Sequence, residues 1–289
     1  MNRILITGAT GNIGLEVIHY LCKLDQKSEI IAGVRDVERA KNKLPRFLNL
    51  TSRQFNFEDE RTFNHAFKGI DILFLLRPPH ISDVEKYFKP LLKAAQKSKI
   101  QKVVFLSVQG VETSTIIPHH KIESLIKSMD FSYIFIRPSY FMQNLTTTLR
   151  SELIKNHTIT LPSGKAKFNW VDTQNIGEAT AATLYKFEEY KNNAYEITGD
   201  ENKSFGAVTA LMTQITGVNF TFKSINPISF YLKKKNEGIP SAFAIVMTIL
   251  HFLPRFQKEP NISNSYFELT NKKPTTLTEF ITREKSKFL

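Results

Sequence analysis

The run Thr7-Gly8-Ala9-Thr10-Gly11-Asn12-Ile13-Gly14 limits the fold more than any other part of this chain. It follows an apolar segment, Arg3 to Thr7. It opens a segment from about Asn12 to Leu24 in which Ile13, Val17, Leu21 and Leu24 recur at helical spacing. A strand that ends in a glycine turn and hands over to a helix is the start of a dinucleotide-binding βαβ unit. Gly8 permits the tight turn, Gly11 lets the main chain approach a pyrophosphate, and Gly14 lets helix and strand pack closely. The helix N-terminus adds free N–H groups and a partial positive charge for the phosphates.

The alternation then repeats. Glu29 to Val34, Arg53 to Phe57, Asp71 to Leu76, Val103 to Ser107 and Tyr133 to Ile136 read as strands, with helical patterns between them. Their short apolar runs suit a parallel sheet buried on both faces. Ser82 to Glu85 reads as a capping box, and Pro90 predicts a kink in the helix behind it. The fold class is therefore α/β, a Rossmann-type doubly wound parallel sheet. The pattern weakens after Pro138. Residues 1–150 are assigned to the nucleotide domain, and residues 151–289 to a smaller α+β lobe packed on it and not folding independently. In that lobe Ser204 opens a helix that Gly217 ends, Thr276 and Glu279 cap a last one, and the apolar stretch Ile239 to Phe256 reads as a core helix, ahead of a wall over a flat aromatic substrate or a dimer contact.

Composition narrows the function classes. The single cysteine, Cys22, rules out an intrachain disulfide and multi-cysteine metal sites, and its apolar neighbours make it a structural thiol. No metal site is expected, since His119 and His120 are adjacent and no carboxylate cluster completes a set. The net charge of +12 is spread over scattered lysines rather than a basic stripe, so no nucleic-acid partner is expected. No apolar stretch reaches the roughly 20 residues of a membrane span, and a strand begins at once in place of a signal peptide, which points to a cytoplasmic protein.

The end of the second strand bears on the cofactor. An NAD binder usually places a carboxylate there, on the ribose 2′-hydroxyl. Here the residues are Gly33-Val34-Arg35-Asp36, and Arg35 suits a 2′-phosphate, so NADP is favoured while Asp36 leaves NAD open. The cofactor contacts expected from strand ends are Thr7, Gly8, Thr10, Gly11, Asn12, Ile13 and Gly14 in the turn, then Arg35, Asn56, Phe57, Leu75, Leu76, Arg77, Ser107, Lys121 and Pro138.

The opening Thr-Gly-Ala-Thr-Gly-x-x-Gly resembles the extended and atypical short-chain dehydrogenase/reductases. Pro118 to Glu123, the block Arg137-Pro138-Ser139-Tyr140-Phe141-Met142-Gln143-Asn144-Leu145, Phe168 to Ile176 and Ala194 to Gly199 resemble the NmrA-like group in particular. The resemblance implies an NAD(P)H-dependent reductase acting on a quinone-like or other planar, aromatic small molecule. It implies as the alternative a non-catalytic NAD(P) redox sensor with a regulatory protein partner, and a homodimer is left open. Short-chain dehydrogenases carry Tyr-x-x-x-Lys. Lys121 fits the lysine position, but Ile117 stands where the tyrosine belongs, which disfavours an epimerase and removes the usual proton donor. A quinone tolerates that loss, because the developing oxyanion needs a donor or positive charge more than a tuned phenol. Lys121 and Tyr140 are the catalytic candidates, with His119 and His120 behind them.

Overall fold

In the computed structural model every residue except Met1 and Ile116 is described. The strands are β1 (Arg3–Ile6), β2 (Glu29–Val34), β3 (Leu50–Gln54), β4 (Ile72–Leu76), β5 (Lys102–Leu106), β6 (Ser132–Pro138), β7 (Tyr140–Phe141), β8 (Thr158–Leu161), β9 (Lys167–Val171), β10 (Asn193–Ile197), β11 (Asn202–Ser204) and β12 (Thr221–Ser224). The chain divides into two units. The first holds Met1–Pro138, Thr173–Ile197 and Asn264–Lys272; the second holds Ser139–Asp172, Thr198–Ser263 and Lys273–Leu289.

The first unit is a Rossmann-type fold. Its seven strands run in the order β10-β6-β5-β4-β1-β2-β3, all parallel. The order reverses between β1 and β4, which places the ligand crevice at the carboxyl ends of those strands. The inner strands β1, β2, β4 and β5 are almost wholly buried because helices cover both faces, while the edge strands β3 and β10 are partly exposed; an aromatic cluster of Phe55, Phe57, Phe63, Phe67, Phe88 and Phe105 fills one of the layers. On the other side the helix Thr173–Tyr185 packs on the helix Asn12–Leu24, so closely that a Cβ on Gly177 would strike Glu16.

A single cut at residue 150 is therefore corrected. β10 pairs with β6, which draws 173–197 back into the first unit through contacts no local pattern reveals. The third strand also lies earlier than expected, at Leu50–Gln54, leaving Asn56 and Phe57 in the loop beyond it. Ser82 is not the cap of its helix. Asp83 caps it, accepting from Lys86 N at 3.0 Å, and a wide π turn over Val84–Phe88 precedes the helix Lys89–Lys97. Pro90 sits in the first turn of that helix, where a missing N–H costs nothing.

In the second unit β9 pairs with β7 in parallel and β11 antiparallel, and β8 pairs with β12 in parallel. Trp170, Phe168, Phe205, Phe230 and Phe280 centre its core. The caps read from sequence stand: Ser204 Oγ accepts from Ala207 N, Gly217 ends that helix at φ +80°, and Thr276 with Glu279 forms a capping box. The helix Ser241–Phe252 differs from expectation. It buries Ala244, Met247 and His251 and exposes Ile245, Val246, Ile249 and Leu250, so it is a one-sided cover and not a core helix. Among the described residues no helix is long and apolar enough to cross a membrane.

Candidate active site

The glycine turn is held from below. Thr7, wholly buried, accepts from Leu76 N at 2.9 Å and donates to Phe74 O at 3.1 Å, so its hydroxyl ties β1 to β4 rather than facing a ligand. Gly8 takes φ +62°, and Gly11 N returns to Gly8 O at 3.0 Å. A Cβ on Gly14 would collide with Gly8 O and lie 2.8 Å from Ala9 Cα, so only glycine lets the helix start this near the turn. The first turn carries no acidic side chain and Gly11 supplies no side-chain cap, so its N–H groups stay available to an anion. Asn12 is exposed, and Ile13 points into the core.

Above the turn lies a cleft of about 320 Å³. Gly8, Thr10 and Gly11 form one wall, Val34 and Arg35 the end of β2, Asn56 and Phe57 the loop after β3, and Leu76 with Pro78 to Ile81 the opposite lip. Leu75 is corrected: strand alternation turns it into the core, fully buried, while Leu76 lies against Gly8. A wider hollow of about 740 Å³ adjoins, lined by Thr10, Arg35, Arg39 and Lys43 among others. Asp36 Oδ1 accepts from Arg39 N at 3.0 Å and caps the helix Val37–Lys41, which explains an acid beside Arg35 without a ribose contact. Among the described residues no ion pair engages Arg35, Arg39 or Lys43.

Arg77 does not line the cleft, which corrects its expected role. Its Nη1 donates to three carbonyls, Pro78 O at 3.1 Å, Pro79 O at 3.2 Å and Ile81 O at 2.7 Å. Its Nε donates to His119 Nε2 at 3.4 Å. It thus clamps the cleft's lip and reaches the helix Pro118–Ser128. Burial, and then the charge of Arg77, push His119 down to about 3, so its ring is neutral. Ser107, just beyond β5, is buried, and its Oγ has no hydrogen-bond partner among the described residues. Pro138 ends β6 and accepts from Gln109 N at 3.0 Å, away from the cleft lining.

Lys121 is also corrected. It is exposed, in a groove with Ser82, Asp83 and Glu85. Helical geometry explains the miss, because two residues rotate a side chain by about 200°, whereas residues three or four apart share a face. The inward pair is His119 and Glu123. Glu123 takes a bidentate bond from Arg137 of β6, Nε to Oε1 at 3.0 Å and Nη2 to Oε2 at 2.7 Å. His120 bonds Val111 O through Nδ1 at 3.1 Å.

Tyr140 lies in the second unit. Its ring packs on Phe168, Trp170 and Phe205, and its hydroxyl lies 2.9 Å from His251 Nε2. His251 Nδ1 must donate to Met247 O, at 2.7 Å, so Nε2 accepts from the tyrosine. Burial raises the phenol and lowers His251 to about 4. This pair anchors the helix Ser241–Phe252 and gives Tyr140 a structural role instead of the catalytic one expected. Arg39 and Lys43 beside Arg35 are what sequence reasoning missed, and of the two candidate histidines it did not single out His119 as the inward one. The i, i+4 spacing from Glu123 and the step of four from Arg35 to Arg39 were the available signals.

The NmrA-like family model matches residues 1–281. Prestalk A differentiation protein A of Dictyostelium discoideum is 27% identical over 277 residues, covering 96% of this chain and 90% of that protein. The structure of the NADPH-dependent quinone oxidoreductase of Escherichia coli in complex with NADPH is similar with a TM-score of 0.85 at 21% identity, covering 97% of this chain and 99% of that one. That of Citrobacter sp. triphenylmethane reductase with NADP(H) has a TM-score of 0.84 at 22% identity, covering 97% and 99%.

Proposed function

Since the chain belongs to the NmrA-like family, we propose that it is an NADPH-dependent reductase of planar, quinone-like acceptors. The single observation that carries the reading is the pairing of the Gly14 cradle with three cations, Arg35, Arg39 and Lys43, that form no ion pair among the described residues, at the far end of the same crevice. A dinucleotide with a 2′-phosphate fits that donor set: N–H groups for the pyrophosphate, guanidinium and ammonium groups for the terminal phosphate. Thr10 and Gly11 line the pyrophosphate end, and Asn56 and Phe57 flank the adenine end.

When bound, reduced nicotinamide supplies two electrons and a proton to the acceptor. The chain's own task is positioning and charge stabilisation. The lip Pro78 to Ile81, fixed by Arg77, limits how the dinucleotide can lie. Ile117 stands where a short-chain dehydrogenase has its tyrosine, so the usual proton donor is missing, which favours an electron-poor acceptor over an alcohol or ketone. The quinone oxidoreductase and triphenylmethane reductase likenesses support a flat aromatic substrate. The test is the loss of NADPH absorbance with a panel of benzoquinones, naphthoquinones and triarylmethane dyes. Turnover with at least one class is expected, with NADH a poorer reductant. Bound NADPH without oxidation by any of them would refute the proposal.

A further inference from the structure

Arg77 is a largely buried cation with no carboxylate partner among the described residues. Such a charge is costly to bury, so its fixed contacts should serve the site. A guanidinium only donates, so the Arg77 bond requires His119 Nε2 to be an acceptor. The one hydrogen of the neutral ring must then sit on Nδ1. That atom has no partner among the described residues. The ring tilts on Phe105 of β5, with centroids 6.1 Å apart, in the first turn of the helix Pro118–Ser128. Ser107 Oγ, buried and without a partner among the described residues, stands just beyond the end of the same strand. With Arg35 just beyond β2, and Arg39 and Lys43 on and after the helix that follows it, taking the adenine half, the ends of β4 and β5 receive the nicotinamide half and the acceptor.

We propose that His119 is the hydrogen-bond donor to the acceptor's oxygen, through Nδ1–H of a neutral imidazole, and that Arg77 is the positioning residue that fixes this tautomer. The inference rests on the reductase reading above. Hydride transfer adds two electrons and one proton to the acceptor and leaves one oxygen negative. His119 donates a hydrogen bond to that oxygen and keeps its proton; water delivers the last proton. The nicotinamide ring is left oxidised, so electrons balance. A neutral imidazole can do this because the oxyanion needs a fixed dipole, not an acid.

Two measurements test it. Nitrogen-15 NMR of the protein alone should find His119 as the Nδ1–H tautomer at pH 6, and R77Q should mix the tautomers. An Nε2–H ring, or one charged at that pH, would overturn the proposal. In the second, the anion of 2-hydroxy-1,4-naphthoquinone is titrated into protein saturated with NADP. An asparagine amide can stand in for Nδ1–H and a glutamine amide cannot, so H119Q should weaken binding by about tenfold or more and H119N far less. Equal affinity in wild type, H119N and H119Q, or no binding to wild type, would overturn it. Anion binding that depends on His119, without turnover of any acceptor, would uphold the His119 assignment while removing the reductase reading.

Discussion

Replacing Arg35 with Ser should weaken NADPH binding and leave NADH binding unchanged. Arg35 shares its hollow with Arg39 and Lys43, and Asp36 is held by the helix cap, so the substitution frees no carboxylate. Hydrogen bonds to a charged group contribute about 1.5–3 kcal/mol. All three cations are exposed, so solvent screening puts Arg35 at the low end. A loss near 1.5 kcal/mol is roughly tenfold in Kd. R35S/R39S should lose about as much again, short of full additivity because both face one phosphate. Fluorescence titration with NADPH and NADH at low and high salt measures it, and the preference for NADPH should shrink as salt rises. NADH carries no 2′-phosphate and so reports any damage to the cleft itself. Equal losses for both nucleotides, or no loss for NADPH, would refute the assignment of this hollow to the phosphate.

Other consequences can be measured separately. Y140F removes the donor to buried His251 Nε2 and should cost about 1–3 kcal/mol of stability by denaturant unfolding, with kcat unchanged. K121A should leave both cofactor affinity and turnover near wild type, since the side chain is exposed outside the cleft; a large fall in kcat would restore it to the site. R137M leaves Glu123 buried without its partner and should destabilise by about 3–5 kcal/mol, seen as a lower unfolding midpoint. His119 and His251, held to about 3 and about 4, bind fewer protons folded than unfolded. Stability should therefore be level above pH 7 and fall as pH drops from about 6.5 toward 4, with a slope approaching 2.7 kcal/mol per pH unit for two protons. A level profile across that window would show that neither ring is held neutral.

The parts of the molecule set by local chemistry were legible in the sequence. The glycine turn, the strands β2 and β4, Arg35 and the caps at Ser204, Gly217 and Thr276 each depend on a few adjacent residues. The misreadings share a cause. Lys121 was placed by spacing from a missing tyrosine, whereas the face of a helix is decided by what it packs on, and here Arg137 draws in Glu123 and with it His119. Leu75 and Leu76 are neighbours of like type, and only the pleat decides which one sees the cleft. Tyr140 meets His251 across 111 positions, and β10 joins β6 across 59. Such pairings carry no periodic signature. Arg77 looked like a ligand contact because it follows a strand end, but its guanidinium turns back onto three carbonyls of the loop it opens, those of Pro78, Pro79 and Ile81.

The most direct measurement is a titration of NADPH into wild-type protein and into G14V, followed by fluorescence transfer from protein to nicotinamide. Wild type should saturate at micromolar concentration. G14V, whose side chain would occupy the space against Gly8 O, should stay folded by circular dichroism and show no saturation. Equal binding by the two proteins, or none by wild type up to millimolar nucleotide, would contradict a diphosphate seated on that turn.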